Sequence, residues 1–348
     1  MKITAIGLGK PFYNSPKNYG CKNKAFVSAP QTRGADIFCF KGSKLSDKIG
    51  IVSTAQPTEL ERNIEQAIGI QPIDTTVKKF ANGETYVNIA GDMRGKDIYL
   101  MPANNPNVND NLMETYLKAD AAKRAGAKKV IAVMPNFDYA RQEKKTEAGE
   151  PIAAKLNMDL LKTSGVDELI TEDFHTLALE GFASRSMPVT HLESMPLMRD
   201  YLKDKGIKDM VIVSPDAGGI KRADKLAKAL DCEKAIIYKH REKHNEAIAE
   251  DVIGDVKDKN CVLYDDLIDT AGTITEASKL LRKKGAKDIY IFATHGLFNG
   301  SAMQKIESSP VKEVVVTNSV PKKPEATDKI KQLDISAQIV EAMKSISA

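Results

Sequence analysis

From residue 50 onward, short apolar runs alternate with longer segments that have the apolar spacing of a helix. In the first half this pattern predicts strands and helices at residues 50–53, 57–68, 85–89, 97–101, 110–125, 129–134, 153–164 and 168–172. In the second half it predicts them at residues 210–214, 219–230, 235–239, 260–264, 274–284, 288–294 and 313–318. Strands that alternate with helices form βαβ units, so the chain is predicted to build mainly parallel sheets.

The chain is long enough for more than one domain, since it has 348 residues of which 42% are hydrophobic. Pro188 and Pro196 interrupt the alternation between residues 185 and 208, which predicts a domain boundary there. The first 45 residues have a different texture, with scattered Asn, Lys, Gly and Pro. The predicted parts are an amino-terminal extension at residues 1–45 and two α/β domains at residues 46–194 and 195–348.

Charge and composition exclude several classes of partner. The 51 basic and 47 acidic residues leave a net charge of only +4, whereas a nucleic-acid-binding surface needs a clear excess of Lys and Arg. No apolar run approaches the roughly 20 residues that cross a bilayer, and the start of the chain is too short in apolar residues for a secretion signal. The four cysteines form no C-x-x-C pair. We therefore expect a cytoplasmic protein that binds neither nucleic acid nor membrane.

The segment VLYDDLIDTAGT at residues 262–273 carries the strongest chemical signal. Its acids can bind sugar hydroxyls or a metal ion, and its small residues let a phosphate approach backbone N–H groups at the start of the helix predicted from Ile274. The predicted ribose 5-phosphate site consists of Asp265, Asp266, Asp269, Thr270, Ala271, Gly272 and Thr273. Acids that only cap a helix contribute about 0.3–1 kcal/mol. Three acids within five residues exceed what a cap needs.

Further motifs follow in a fixed order along the chain. They are KFANGETYVNI at 79–89, NDNLMET at 109–115, YARQEKK at 139–145, EDFH at 172–175, VSPDAGG at 213–219 and YKHR at 238–241. With the acidic segment, they make residues 48–345 resemble the ribose-phosphate pyrophosphokinase family, also called phosphoribosyl-pyrophosphate synthetases. The resemblance implies two tandem phosphoribosyltransferase-type domains, each a mainly parallel sheet flanked by helices. It also implies a homo-oligomer built from dimers, up to a hexamer.

The activity that the resemblance implies is Mg²⁺-dependent transfer of the pyrophosphoryl group of ATP to the C1 hydroxyl of ribose 5-phosphate. It implies catalytic cations at Lys239 and Arg241, and metal contacts at His175 and Asp216. It implies ATP contacts at Phe80, Asn82, Glu84, Arg141, Gln142 and Lys144. Without the family, Lys239 and Arg241 would be a solvated pair, Phe80 a core residue and His175 a structural histidine.

The sequence also departs from the family pattern. Asn82 stands where the family has Asp, and Glu143 and Lys144 stand where it has Asp and Arg. Residues 146–150 replace an Arg-rich stretch, and His240, Glu242 and Lys243 replace an Arg- and Pro-rich stretch of the catalytic loop. These changes motivate a second hypothesis, a non-catalytic relative that binds and regulates a true synthetase. A third hypothesis, a phosphoribosyltransferase, shares the acidic segment but needs neither the nucleotide motifs nor two α/β halves.

Overall fold

The computed structural model describes residues 47–54, 56–102, 107–241 and 248–348, with only the backbone described at residues 239–241 and 248–250. In chain order, the strands of the first half are β1 (Ile49–Val52), β2 (Thr75–Lys79), β3 (Thr85–Ile89), β4 (Asp97–Leu100), β5 (Lys129–Val133), β6 (Glu168–Glu172) and β7 (Val189–Leu192). Five of them form a sheet in the order β1-β4-β5-β6-β7, in which every pairing is parallel. β2 and β3 form a separate antiparallel hairpin.

The second half forms a larger sheet. Its strands are β8 (Met210–Ser214), β9 (Glu233–Arg241), β10 (Ile248–Ile253), β11 (Asn260–Ile268), β12 (Ile289–Gly296), β13 (Glu313–Thr317) and β14 (Ile330–Leu333). They stand in the order β10-β9-β8-β11-β12-β13-β14, and only the pairing of β10 with β9 is antiparallel. The carboxyl ends of the parallel strands therefore share one edge of this sheet.

Helices connect the strands and cover both sheets. Within the described residues they are α1 (Glu59–Ile68), α2 (Val108–Arg124), α3 (Ala153–Ser164), α4 (Met195–Lys205), α5 (Ile220–Leu230), α6 (Gly272–Lys283), α7 (Ala302–Glu307) and α8 (Ser336–Ile346). A 3₁₀ helix spans Leu177–Phe182. None of these described helices is long and apolar enough to cross a membrane.

The start of β11 explains why its sequence is a continuous apolar run. Cys261 and Leu263 pack into one core cluster, whereas Val262 and Tyr264 pack into the cluster on the opposite face. Alternate residues of a strand point to opposite faces, so a strand covered by helices on both sides must be apolar at every position. The apolar run is therefore what a strand in the middle of the sheet requires. The carboxyl end of β11 places the acidic segment at the shared edge.

The last helix returns to the first sheet. Ile339 and Met343 of α8 share a core cluster with Ile51 and Tyr99. The hydroxyl of the fully buried Tyr99 donates to the carbonyl oxygen of Met343 at 2.9 Å and lies 2.7 Å from the hydroxyl oxygen of Ser347. The end of the chain thus belongs to the core of the first half.

The predicted fold class, with two mainly parallel sheets flanked by helices, is confirmed. The division at residues 194 and 195 stays a prediction, and the extension at residues 1–45 lies outside the described residues. Several predicted element ends were wrong by one to four residues. β11 continues past Tyr264 to Ile268, and β12 continues past Thr294 to Gly296. The stretch around Pro188 and Pro196, which was predicted to interrupt the alternation, contains β7 and α4.

Candidate active site

Loops from the carboxyl ends of β8 and β11 surround a cavity of about 670 Å³, called here the loop cavity. Most of the predicted site residues line it. From the predicted ribose phosphate set these are Asp265, Asp266, Asp269, Thr270, Ala271, Gly272 and Thr273. From the other predicted sets these are His175, Asp216, Arg141 and Lys144. The lining of the loop cavity runs from Arg141 to Ile274, two residues that are 133 positions apart along the chain. The fold therefore brings distant segments together at this cavity.

Two adjacent carboxylates of β11 form the floor of this cavity. Arg222 of α5 donates from Nη1 to Oδ1 of Asp266 at 3.0 Å and to Oδ1 of Asp265 at 3.3 Å. His175, from the turn that follows β6, donates from Nδ1 to Oδ2 of Asp266 at 2.8 Å. Asp266 is thus held from two sides, by a cation and by a ring N–H.

The two carboxylates differ in acidity because their partners differ. Burial, followed by the adjacent charge of Asp266, raises the pKa of Asp265 to about 7. Burial acts on Asp266 as well, but the hydrogen bond from His175 and the charge of Arg222 outweigh it and hold the pKa of Asp266 below its usual range. The hydrogen bond to Asp266 in turn raises the pKa of His175. Near neutral pH the pair offers sugar hydroxyls one firm acceptor, at Asp266, and one carboxyl that can also donate.

The loop after β11 prepares the start of α6 for an anion. Ala271 has a φ of 57°, in the left-handed region that few non-glycine residues adopt, and no side chain caps the helix. The N–H groups of the first turn are therefore left for a ligand, and the helix dipole favours a negative one. Lys305 donates to the carbonyl oxygen of Thr270 at 3.1 Å, and Asn299 donates from Nδ2 to Oδ1 of Asp269 at 2.9 Å. These contacts hold the loop from outside the cavity.

The loop after β8 forms a second wall. Oδ1 of Asp216 accepts hydrogen bonds from the backbone N–H groups of Gly218 at 2.8 Å and Gly219 at 3.0 Å. A Cβ atom at Gly219 would lie 2.8 Å from the hydroxyl oxygen of Ser214, so a larger residue there would have to displace the Ser214 side chain. Within the described residues, no group of three or more His, Cys, Asp or Glu side chains is placed to hold a metal ion. His175 and Asp216 line the same cavity without forming such a group.

A second cavity of about 600 Å³ adjoins the first and is called here the inter-sheet cavity. It is lined by residues that follow β5 and β6 and by residues of β11 and β12. Gln142 lines this cavity, and Arg141 lines both. Arg141 donates from Nη1 to Oδ2 of Asp269 at 2.8 Å, which links the loop after β5 to the loop after β11. The two cavities also share His175, Asp266 and Leu267.

Family comparisons match both halves of the chain. The N-terminal domain of ribose phosphate pyrophosphokinase matches residues 49–165, and the phosphoribosyl synthetase-associated domain matches residues 249–348. The ribose-phosphate pyrophosphokinase of Clostridium acetobutylicum is 43% identical over 290 residues, which cover 82% of this chain and 90% of the relative. That of Bacillus subtilis is 40% identical over 295 residues, which cover 84% of this chain and 92% of the relative.

The chain belongs to the ribose-phosphate pyrophosphokinase family. A crystal structure of the phosphoribosylpyrophosphate synthetase from Mycobacterium smegmatis matches it with a TM-score of 0.79 and 36% identity, covering 85% of this chain and 98% of that one. The predicted family, its function as a pyrophosphokinase and its class as a transferase of nucleotide biosynthesis are thereby confirmed. The roles of individual residues stay predictions.

Not all residues predicted for ATP lie together in this pyrophosphokinase-family chain. Phe80, Asn82 and Glu84 lie at the tip of the β2–β3 hairpin, where the N–H of Phe80 donates to the carbonyl oxygen of Glu84 at 2.8 Å. Phe80 is 50% exposed, and none of the three residues lines the loop cavity or the inter-sheet cavity. Lys144 lies 3.3 Å from the carboxylate of Glu143 at the edge of the loop cavity.

The two predicted catalytic cations fall at the carboxyl end of β9. The backbone of Lys239 pairs with that of Glu250, and the backbone of Arg241 pairs with that of Ile248. Their side chains lie outside the described residues. β9 runs parallel to β8, whose carboxyl end leads to Asp216, so both strands point toward the same edge of the sheet.

Sequence reasoning missed Arg222, which contacts both carboxylates of β11. Arg222 sits among the basic residues KRADK at the start of α5, a composition typical of an exposed helix face. Only the order of the strands reveals its contact, because β8 stands beside β11 and α5 follows β8. Asp138 was missed as well: it lines the inter-sheet cavity, and burial raises its pKa to about 6.

Proposed function

We propose that this chain transfers the pyrophosphoryl group of ATP to the C1 hydroxyl of ribose 5-phosphate and releases AMP and phosphoribosyl pyrophosphate. The observation that carries this proposal is the loop cavity, in which the β11 carboxylates and the uncapped start of α6 face one space. Curated relatives that cover most of the chain are named ribose-phosphate pyrophosphokinase, which supports the same reaction.

Ribose 5-phosphate is proposed to bind along the loop cavity. Its phosphate accepts hydrogen bonds from the N–H groups of the first turn of α6, at Gly272 and Thr273, where the helix dipole also favours it. Its hydroxyls contact the carboxyl groups of Asp265 and Asp266. The small side chain of Ala271 leaves the phosphate room to approach the backbone. The contacts of Asp269 with Asn299 and of Thr270 with Lys305 hold the loop in the conformation that this approach needs.

ATP is proposed to bind where the two cavities meet. Arg141 lines both cavities, so its guanidinium can contact the phosphates of a nucleotide whose base contacts Gln142. The present partner of Arg141 is the carboxylate of Asp269, which a phosphate oxygen would replace. Lys144 adds a second cation at the edge of the loop cavity.

Magnesium is proposed as the cofactor. Mg²⁺ in proteins is usually held by one or two carboxylates together with water and substrate phosphates, and this donor set fits Asp216. Oδ1 of Asp216 accepts hydrogen bonds from the N–H groups of Gly218 and Gly219, so Oδ2 is the oxygen that would contact the ion. His175 is the weaker candidate, because Mg²⁺ prefers oxygen ligands. Its Nδ1 is engaged with Asp266, so Nε2 is the nitrogen that would contact the ion. The bound ion would neutralise charge on the phosphate oxygens.

Lys239 and Arg241 are proposed to stabilise the transferred group. Pyrophosphoryl transfer spreads negative charge over phosphate oxygens, so it depends on cations placed around them. In the β8–β9 pairing, Ser214 lies opposite Ile236. Lys239 therefore lies three positions beyond the carboxyl end of β8, roughly 10 Å further along the strand.

A homo-oligomer is proposed as the working form, built from dimers that assemble up to a hexamer. Phe80, Asn82 and Glu84 were predicted to contact ATP together with Arg141, yet they line neither cavity of the single chain. A hairpin from a second copy would bring the missing contacts to the nucleotide. Phe80 is 50% exposed and available for such a contact.

The decisive experiment measures AMP formation from ATP and Mg²⁺, with and without ribose 5-phosphate. AMP release that depends on the sugar is the expected result. Ribose phosphate binding without any AMP would favour the non-catalytic relative.

Asp266→Asn should weaken ribose 5-phosphate binding measured by calorimetry, whereas Asp288→Asn, at an exposed aspartate outside both cavities, should not. Equal affinities for the two variants would contradict the assignment of Asp266 to the sugar.

A further inference from the structure

The end of β12 contacts the turn that carries His175. His295 is 4% exposed, and its Nε2 lies 3.2 Å from the carbonyl oxygen of Glu172 and 3.3 Å from that of Asp173. Carbonyl oxygens only accept hydrogen bonds, so Nε2 carries the proton and donates it to this pair. Nδ1 lies 2.9 Å from the hydroxyl oxygen of Ser319, which completes the partners of the ring.

A neighbouring residue of β12 holds the same turn through a side chain. Thr294 donates from Oγ1 to Oδ2 of Asp173 at 2.6 Å, and the backbone N–H of Ser194 donates to the same oxygen at 3.1 Å. Asp173 has a φ of 33°, a left-handed conformation that costs free energy for a residue other than glycine. Such a turn persists only where surrounding contacts impose it, and β12 provides several of those contacts.

The turn leads directly to the acidic pair. Two residues after Asp173, His175 reaches Asp266 of β11 at 2.8 Å. β11 and β12 are paired neighbours, with Leu267 opposite His295. The contacts therefore form a closed circuit from β11 through His175 and the turn to β12 and back to β11. A shift of the turn at one point of this circuit would move the ring of His175 relative to Asp266.

We propose that His295 is a positioning residue, whose Nε2–H holds the turn after β6 so that His175 meets Asp266. The inference rests on the proposed function of the loop cavity, because His175 must matter there for its position to matter. Thr294 supports the same turn through Asp173. His295 itself lines the inter-sheet cavity together with residues of the turn, and it acts on the proposed site through His175.

Two amide variants of His295 distinguish the contribution of Nε2 from that of Nδ1. In His295→Gln the side-chain amide can place a donor near the position of Nε2, whereas in His295→Asn the shorter amide reaches only the region of Nδ1. A misplacement of about 1 Å can cost about 100-fold in rate. We therefore expect His295→Asn to lower kcat by about 10- to 100-fold and His295→Gln to stay within about threefold of the wild type. The KM for ribose 5-phosphate should change less than kcat, because the phosphate contacts proposed at Gly272 and Thr273 come from another loop and only the Asp266 contact depends on His175.

A double-mutant cycle tests whether His295 acts through His175. In a His175→Ala background, His295→Asn should reduce kcat by less than about twofold further. An equal loss in both backgrounds would mean that His295 has a general structural function and would overturn the proposal. Unchanged turnover in His175→Ala alone would instead remove His175 from the proposed active site, so the two failures are distinguishable.

A readout other than activity covers the case in which His295→Asn fails to fold. Thr294→Val removes the donor to Asp173 at nearly constant volume, and Thr294→Ser keeps it. Imidazole ¹⁵N–¹H spectra report the hydrogen-bonded Nδ1 proton of His175. Loss of this signal in Thr294→Val and its retention in Thr294→Ser and His295→Gln would support the proposal. Loss of the signal in His295→Gln, which keeps a donor near the position of Nε2, would overturn it.

Discussion

Arg222 and Asp266 lie 3.0 Å apart, guanidinium nitrogen to carboxylate oxygen, across the boundary between two βα units of the second sheet. The same nitrogen lies 3.3 Å from Asp265, so one cation bridges two adjacent carboxylates that burial would otherwise destabilise. Two bare carboxylates near the carboxyl end of a central strand would repel each other. Arg222 thus makes an acidic pair compatible with a central strand and leaves it facing the cavity.

Arg222→Gln should destabilise the fold and weaken ribose 5-phosphate binding. Removing one partner of a buried ion pair leaves the other charge uncompensated, and the partial exposure of Arg222 reduces the cost to about 1–3 kcal/mol of unfolding free energy. Urea unfolding and calorimetric titration with ribose 5-phosphate measure the two effects. Arg199→Gln, which removes an exposed pair with Asp200, serves as the control. Equal destabilisation by the two substitutions would contradict a special function of Arg222.

Asp265 gives a pH-dependent prediction. Its folded-state pKa of about 7 lies above the ordinary value of 3.8, so the folded chain holds a proton that the unfolded chain has lost. The stabilisation from this group is complete below about pH 4 and is lost as the pH rises toward 7. Asp265→Asn keeps a neutral side chain at every pH. The unfolding free energy of the variant relative to wild type should therefore rise by about 1–3 kcal/mol between pH 4.5 and pH 8.

Urea unfolding at several pH values tests this difference directly. Other titrating groups contribute to both proteins and cancel in the comparison. Asp288→Asn, at an exposed aspartate paired with Lys312, gives the baseline for removing a surface charge. A difference for Asp265→Asn that falls as the pH rises would show that the shift has the opposite sign.

The sequence predicted the sheets well because apolar runs report burial on both faces. Prediction from the sequence failed where the charge of a buried residue is compensated by residues distant along the chain. The acids at Asp265 and Asp266 were expected to follow the strand, since charged residues are rarely buried in one. They lie inside β11 because Arg222, 44 positions away along the chain from Asp266, and His175 neutralise and bind them. That compensation depends on strand order, which no local pattern encodes.

Proline was misinterpreted for a local reason. Pro196 was taken as an interruption, but it occupies the first turn of α4, where a missing N–H costs nothing and the fixed φ suits a helix. The ligand-binding segment was predicted because its residues are contiguous. The contacts of Thr294 and His295 with the turn after β6 were not, because each joins residues more than 120 positions apart.

The return of α8 to the first sheet predicts a stability contribution from a single hydroxyl. Tyr99→Phe removes the hydrogen bond to the carbonyl oxygen of Met343 and the contact with the hydroxyl of Ser347. The Met343 carbonyl keeps the backbone N–H of Ser347 as a donor, whereas the buried hydroxyl of Ser347 loses its contact with Tyr99. The expected loss is about 1–3 kcal/mol of unfolding free energy. Tyr86→Phe, at a partly exposed tyrosine of the hairpin, is the control. Equal unfolding free energies of the two variants in urea would mean that the Tyr99 hydroxyl does not stabilise the packing of α8.

Lys239→Ala should separate binding from turnover. If Lys239 stabilises the transferred group, its loss removes a charge that matters chiefly in the transition state, which is worth about 2.7–4 kcal/mol or a 100- to 1000-fold loss of kcat. Affinity for ribose 5-phosphate should stay nearly constant, because the proposed sugar contacts come from β11 and α6. Lys234→Ala is the matched control: Lys234 lies near the amino end of the same strand, bonded to Asp224, and its loss should leave kcat unchanged. Turnover that survives Lys239→Ala would remove this lysine from the mechanism and leave Arg241 as the remaining cation proposed on β9.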